Sequence, residues 1–227
     1  MATDMNTTYE RPRFFPGQII TADDLTLDQT YILDKLRRHN RMLHGWGIVC
    51  GARVDPVTDK PWMVKVNPGY IIGPYGDEIC IGKVVCCDLR IKCTSKIVPE
   101  TPDPCADAVT QLPLPAAGTY FVVVEYSQDA VRPVRSKSSG CGCGENPCEN
   151  SRYRDGFHIC VLDTLPASHM PPNRDAPPPT TRPAGLAPDC PPPPLDGWVV
   201  LAAVTVAADG TVGTIDFTPC RVLASHV

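Results

Sequence analysis

Long apolar runs are missing from this 227-residue chain. None approaches the length of about 18 residues that a helical membrane span needs, so membrane insertion is not expected. A basic surplus is missing too: 21 Lys and Arg stand against 25 Asp and Glu, a net charge of −4, and the cations are scattered. That argues against a phosphate-neutralising surface for nucleic acid. The opening Met-Ala-Thr-Asp-Met-Asn lacks the basic-then-apolar pattern of a secretory signal. The Gly-rich Ser-Ser-Gly-Cys-Gly-Cys-Gly stretch is not followed by the Lys-Ser/Thr of a phosphate loop.

Catalytic constellations are equally scarce. His39, His44, His158, His169 and His226 stand in no recognisable nucleophile motif with a cysteine. Asp23, Asp24, Asp28 and Asp34 fall together on one predicted helix, where capping and solvation account for the first two. No enzymatic activity is expected.

Cysteine and proline, by contrast, are abundant. Twelve cysteines make about 5% of the chain, below the density of small disulfide scaffolds but high for a cytosolic protein. Three of them crowd into Cys141-Gly-Cys143-Gly-Glu-Asn-Pro-Cys148, a group that staples a fold rather than performing chemistry. Cys141, Cys143 and Cys148 can reach one tetrahedral zinc if a fourth ligand arrives from Cys160, His158 or the Cys86-Cys87 pair. Disulfides and free thiols remain alternatives, because the spacing is not the paired C-x-x-C of a zinc ribbon. Adjacent Cys86 and Cys87 point to opposite faces of a strand. The 26 prolines are about twice the usual share of roughly 5%. They mark two extended linkers, 98–118 and 166–196, the second reaching Pro-Pro-Pro-Pro.

Residues 1–20 read as an extended arm, with Pro12, Pro16 and Gly17 blocking regular structure. Thr21 with Asp24 three residues on predicts a capped helix from Ala22 to about Leu43, closed by Gly45, in a segment 21–46. Leu25, Gln29, Ile32, Leu36, His39 and Leu43 follow a 4-3-4-3-4 spacing, the period-3.5 seam of a helix that packs on another helix. The seam serves either docking on the chain's own β part or self-association around a symmetry axis.

From Gly47 the pattern turns to strands. They are predicted at Ile48–Val54, Trp62–Val66, Gly69–Ile72, Glu78–Ile81 and Val84–Leu89, within a β-rich subdomain 47–97. Thr119–Tyr126 is an unbroken apolar strand expected to be buried on both faces. It opens a 119–165 segment that also carries the cysteine group and a strand at Gly156–Leu162. A final hairpin, Trp198–Val206 with Thr211–Phe217, turns across Ala208-Asp209-Gly210 within 197–227. Arg152, Arg154 and Asp155 read as a surface or interface ion-pair group. The fold class is α+β: one N-terminal helix, an antiparallel β-rich body of sandwich or barrel kind, and proline-rich extended arms.

Several segments carry a family resemblance. Arg13-Phe-Phe-Pro-Gly-Gln-Ile-Ile-Thr-Ala-Asp-Asp-Leu, His39-Asn-Arg-Met-Leu-His-Gly-Trp-Gly-Ile-Val-Cys-Gly, Asn67-Pro-Gly-Tyr-Ile-Ile, Tyr120-Phe-Val-Val-Val-Glu-Tyr, Ser151-Arg-Tyr-Arg-Asp-Gly-Phe and Trp198-Val-Val-Leu-Ala-Ala-Val-Thr-Val occur in that order. Together they resemble structural proteins of phage tails and phage-tail-like contractile injection systems, over roughly 11–225. The resemblance implies a baseplate or tail-fibre adaptor that binds other particle subunits and forms a homo-oligomer, with a trimer favoured. It places the chain in a virion or an extracellular particle assembled in the cytoplasm and released by lysis. The chain ends soon after its last hairpin, without the long receptor-binding part of a tail fibre, so an adaptor, decoration or scaffold role is expected rather than receptor binding. The rival class is a zinc- or disulfide-stapled module that recognises carbohydrate or another cell-surface ligand, and a metalloenzyme is a distant third.

Overall fold

The computed structural model describes residues 9–93, 112–135, 148–170, 190 and 193–223. Helix α1 spans Ala22–His39 and begins where the sequence places it. The Thr21 hydroxyl oxygen accepts the Asp24 N–H at 3.2 Å, while the Asp24 carboxylate accepts the Thr21 N–H at 2.9 Å, a complete capping box. Those bonds from Thr21, backbone first, hold the Asp24 carboxyl below its ordinary value. The helix does not run on regularly to Leu43. Asn40–His44 form a π-turn, closed by the Gly45 N–H on the Asn40 carbonyl at 3.0 Å, and Gly45 leaves it at φ 79°.

Among the described residues ten strands follow: β1 Gly47–Gly51, β2 Val54–Pro56, β3 Met63–Val66, β4 Gly69–Ile72, β5 Glu78–Ile81, β6 Val85–Asp88, β7 Gly118–Arg135, β8 Cys148–Leu162, β9 Val199–Val206 and β10 Val212–Asp216. They form three antiparallel sheets ordered β1-β4-β5, β2-β3-β6 and β10-β9-β7-β8. The fold is therefore α+β with a β-rich body.

The strand expected at Ile48–Val54 is split between two sheets. At the corner Gly51 (φ 65°) and Ala52 (φ 56°) take left-handed conformations, and the Ala52 N–H bonds the Pro68 carbonyl at 3.0 Å. A Cβ on Gly51 would lie 2.2 Å from that same carbonyl oxygen, so only glycine permits the crossing.

The sheets share one apolar core, which includes Val54, Val64, Val66, Ile71, Ile79, Ile81, Val122, Val124, Val161, Leu201 and Val204. The unbroken run on β7 is buried on both faces as expected: Val122, Val123 and Val124 are all fully buried. Val122 and Val124 enter the shared core, and Val123 between them faces the other way.

Strands β7 and β8 extend well past the predicted 119–126 and 156–162. Their pairing continues from Ser127↔Gly156 out to Arg135↔Cys148. Most side chains on this outer ribbon are exposed, so backbone pairing is its main support, with the Ser151 hydroxyl donating to the Arg132 carbonyl at 3.0 Å. The bulk of both proline-rich linkers, and residues 136–147 of the cysteine group, lie outside the described residues.

Candidate functional site

Every seam position faces solvent. Leu25 is 53% exposed, Ile32 59%, Leu36 46% and Leu43 70%, while Gln29 and His39 are also exposed and no residue of α1 is buried. Docking of this seam on the chain's own β part is thus not what the structure shows.

The physical reason is a polar anchor at the far end of the helix. Arg37 Nε bonds Asp77 Oδ1 at 2.6 Å, and the Asn40 amide donates to the Gly76 carbonyl at 3.0 Å and to Glu78 at 3.3 Å. Gly76 (φ 90°) lets the backbones meet, since a Cβ there would lie 2.0 Å from the Arg37 carbonyl oxygen. The Arg37 guanidinium also lies 5.8 Å from the centre of the Tyr126 ring. Burial, then the Tyr126 bond to Asp155 at 2.6 Å, pushes that hydroxyl up to about 12. Asp155 is thereby a partner of Tyr126, not simply a member of an arginine ion-pair group.

These contacts turn the polar side of α1 toward the body and its apolar seam away. Before the helix, Phe14, Phe15, Ile19 and Ile20 are exposed along the arm. Among its described residues a turn is made by the Gln18 N–H on the Phe15 carbonyl.

The expected zinc set loses a member. Cys160 is bonded to Cys93 in a disulfide, and Cys86 is disulfide-bonded too, so neither offers a thiolate. Cys141 and Cys143 lie outside the described residues, and at Cys148 only the strand backbone is described. The Cys93–Cys160 bond fastens the chain after β6 to β8, beside a bond from the Cys93 N–H to the Val161 carbonyl. Cys87 turns into the core, away from Cys86, and burial pushes its thiol up to about 12.

One polar cluster went unforeseen because it joins the two ends of a proline-rich linker. Ser168 and His169 are fully buried on a short 3₁₀ turn, Ala167–His169. The Val200 N–H donates to His169 Nε2 at 3.1 Å, which leaves Nδ1 to carry the ring proton toward Ser168 Oγ, also at 3.1 Å. Ser168 then donates its own proton to Asp196 at 2.6 Å. This order is the reverse of what activates a serine, whose proton must pass to the histidine. The three residues form a clip, with His169 also edge-on to Trp46 at 4.8 Å. The only sequence hint was a Ser-His pair beside Pro166, too common to single out.

Among the described residues the chain is an α+β protein whose helix α1 presents an apolar face outward. No protein-family model and no curated protein matches the chain. Among solved structures it is similar to a chain of the type VI secretion system TssK-TssF-TssG baseplate subcomplex, with TM-score 0.41 and 11% identity over 92% of this chain and 60% of that one. It is also similar to a chain of the baseplate complex from the type VI secretion system, with TM-score 0.44 and 12% identity over 91% and 40%. The crystal structure of TssK gives TM-score 0.44 and 9% identity over 92% and 41%. The chain thus spans between two-fifths and three-fifths of the length of these neighbours, and likeness at this level assigns it no role.

Proposed function

We propose that this chain is a non-enzymatic assembly component of a phage tail or contractile injection particle, a baseplate or tail-fibre adaptor that binds neighbouring subunits. The particle class follows the sequence resemblance. One observation carries the assembly role: all six seam positions, five on α1 and Leu43 in the π-turn, are exposed while the helix is fastened to its body by polar contacts at one end. An apolar stripe left in water is unfavourable unless something covers it, and exposed stripes of this kind mark association surfaces. The arm residues Phe14, Phe15, Ile19 and Ile20 extend the same surface.

In this role the chain forms a homo-oligomer through the seam, a trimer by the resemblance, within a particle assembled in the cytoplasm and released by lysis. Cryo-electron microscopy of native particles from cells carrying a tagged copy tests the reading. Density for this chain, with α1 buried against neighbouring subunits, is expected. A chain absent from particles, or present with α1 still facing solvent, would overturn it.

A further inference from the structure

The π-turn at the end of α1 brings together two imidazoles, one at a seam position and one beyond it. On a regular α-helix, residues five apart lie about 140° from each other around the axis and do not meet. A π-turn takes up one more residue per turn, so residues five apart are stacked along one side. His39 precedes this turn and His44 ends it, and their ring centres are 5.4 Å apart at an interplanar angle of 62°. Both side chains are exposed, and among the described residues neither ring takes part in a hydrogen bond.

That separation suits chelation. Two imidazoles on one tetrahedral ion, each with a metal–nitrogen bond of about 2.0–2.1 Å, hold their ring centres roughly 5 Å apart. Imidazole is a ligand for zinc, copper and nickel. No third His, Cys, Asp or Glu joins the pair among the described residues. Two donors leave a four-coordinate ion half satisfied, and His39 lies in the seam, followed four residues later by its most exposed apolar member, Leu43.

We propose that His39 and His44 form a half-site for a divalent zinc-type cation, completed by imidazoles from neighbouring copies of this chain across the seam. The inference rests on the seam being a self-contact surface. The ion would fix which helices meet and in what register, as a polar group within an apolar seam does.

The test is a zinc titration of the full chain with its accessible thiols alkylated and its disulfides intact. Imidazole proton resonances are followed by NMR and mass by analytical ultracentrifugation. Zinc is expected to shift the His39 and His44 resonances together, raise the mass and bind at one ion for two or more chains. Either His39→Ala or His44→Ala should abolish all three effects. Zinc binding unchanged in both variants would overturn the half-site, as would one ion per chain in a species that stays monomeric. Wild type and both variants assembling alike with and without zinc would sink the half-site while leaving the seam standing. Seam variants that assemble normally would instead remove the proposed function beneath it.

Discussion

Changing Ile32 and Leu36 together to glutamate separates folding from assembly. In the free chain both side chains face solvent, 59% and 46% exposed, and neither takes part in the core. Exposed substitutions away from special features usually stay within about ±0.5 kcal/mol, and glutamate is a better helix former than isoleucine and about equal to leucine. Urea unfolding of the variant should therefore match wild type.

Assembly should fail. The exposed area of the two residues amounts to about one whole aliphatic side chain, so burial at a contact contributes roughly 1.5–3 kcal/mol per helix. Its loss weakens association by about tenfold to a hundredfold for each helix, before the cost of forcing carboxylates into an apolar contact is counted. Light scattering coupled to size exclusion, and incorporation into particles, provide the readout. A variant that folds and assembles like wild type refutes the seam. A variant that fails to fold refutes it differently, because the seam would then be holding the body together.

Gly76→Ala should cost about 1–3 kcal/mol and loosen the helix end, because the new Cβ would strike the Arg37 carbonyl in a backbone region unsuited to it; unchanged amide-exchange protection at 37–40 would argue against the anchor. Replacing Cys93 and Cys160 by serine should lower stability by roughly 4 kcal/mol, the chain-entropy value for a bond spanning 67 residues, and a loss under about 1 kcal/mol in urea unfolding would show the bond to be incidental. Burial raises the Glu125 carboxyl above its ordinary 4.5, with His158 opposing and Asp196 reinforcing. Stability contributed at this site thus falls as pH climbs from below 4.5 through the folded value. Glu125→Gln should therefore be the more stable protein at pH 7 and equal to wild type near about pH 4, with denaturation curves at both pH values as the check. A variant less stable at pH 7 would contradict the assignment.

Local chemistry made much of the fold legible. Strands β4 and β5 occupy the predicted Gly69–Ile72 and Glu78–Ile81, short apolar runs set between turn signals. Thr21 and Asp24 announced the start of α1, because a capping box needs only residues three apart. What escaped the sequence depended on distant partners. The outer ribbon of β7 and β8 lacks an apolar alternation, since its strands bond each other without burying a face. The π-turn hinges on Asn40 reaching Gly76, a residue 36 positions away. The zinc expectation for Cys160 failed because spacing near Cys141 carries no information about Cys93. The seam was visible as a pattern, but which way it faced was decided by Arg37 and Asp77.

Helix α1 is a cantilever. Its side-chain bonds to the body come from its last turn and the π-turn, while its 18 residues carry the tip about 27 Å from that support. A tilt of about 10° at the support would sweep the tip sideways by about 5 Å, the height of one helical turn. The small patch around Gly76 therefore aims everything mounted along the beam, and modest changes there steer the far end across a whole neighbour's footprint.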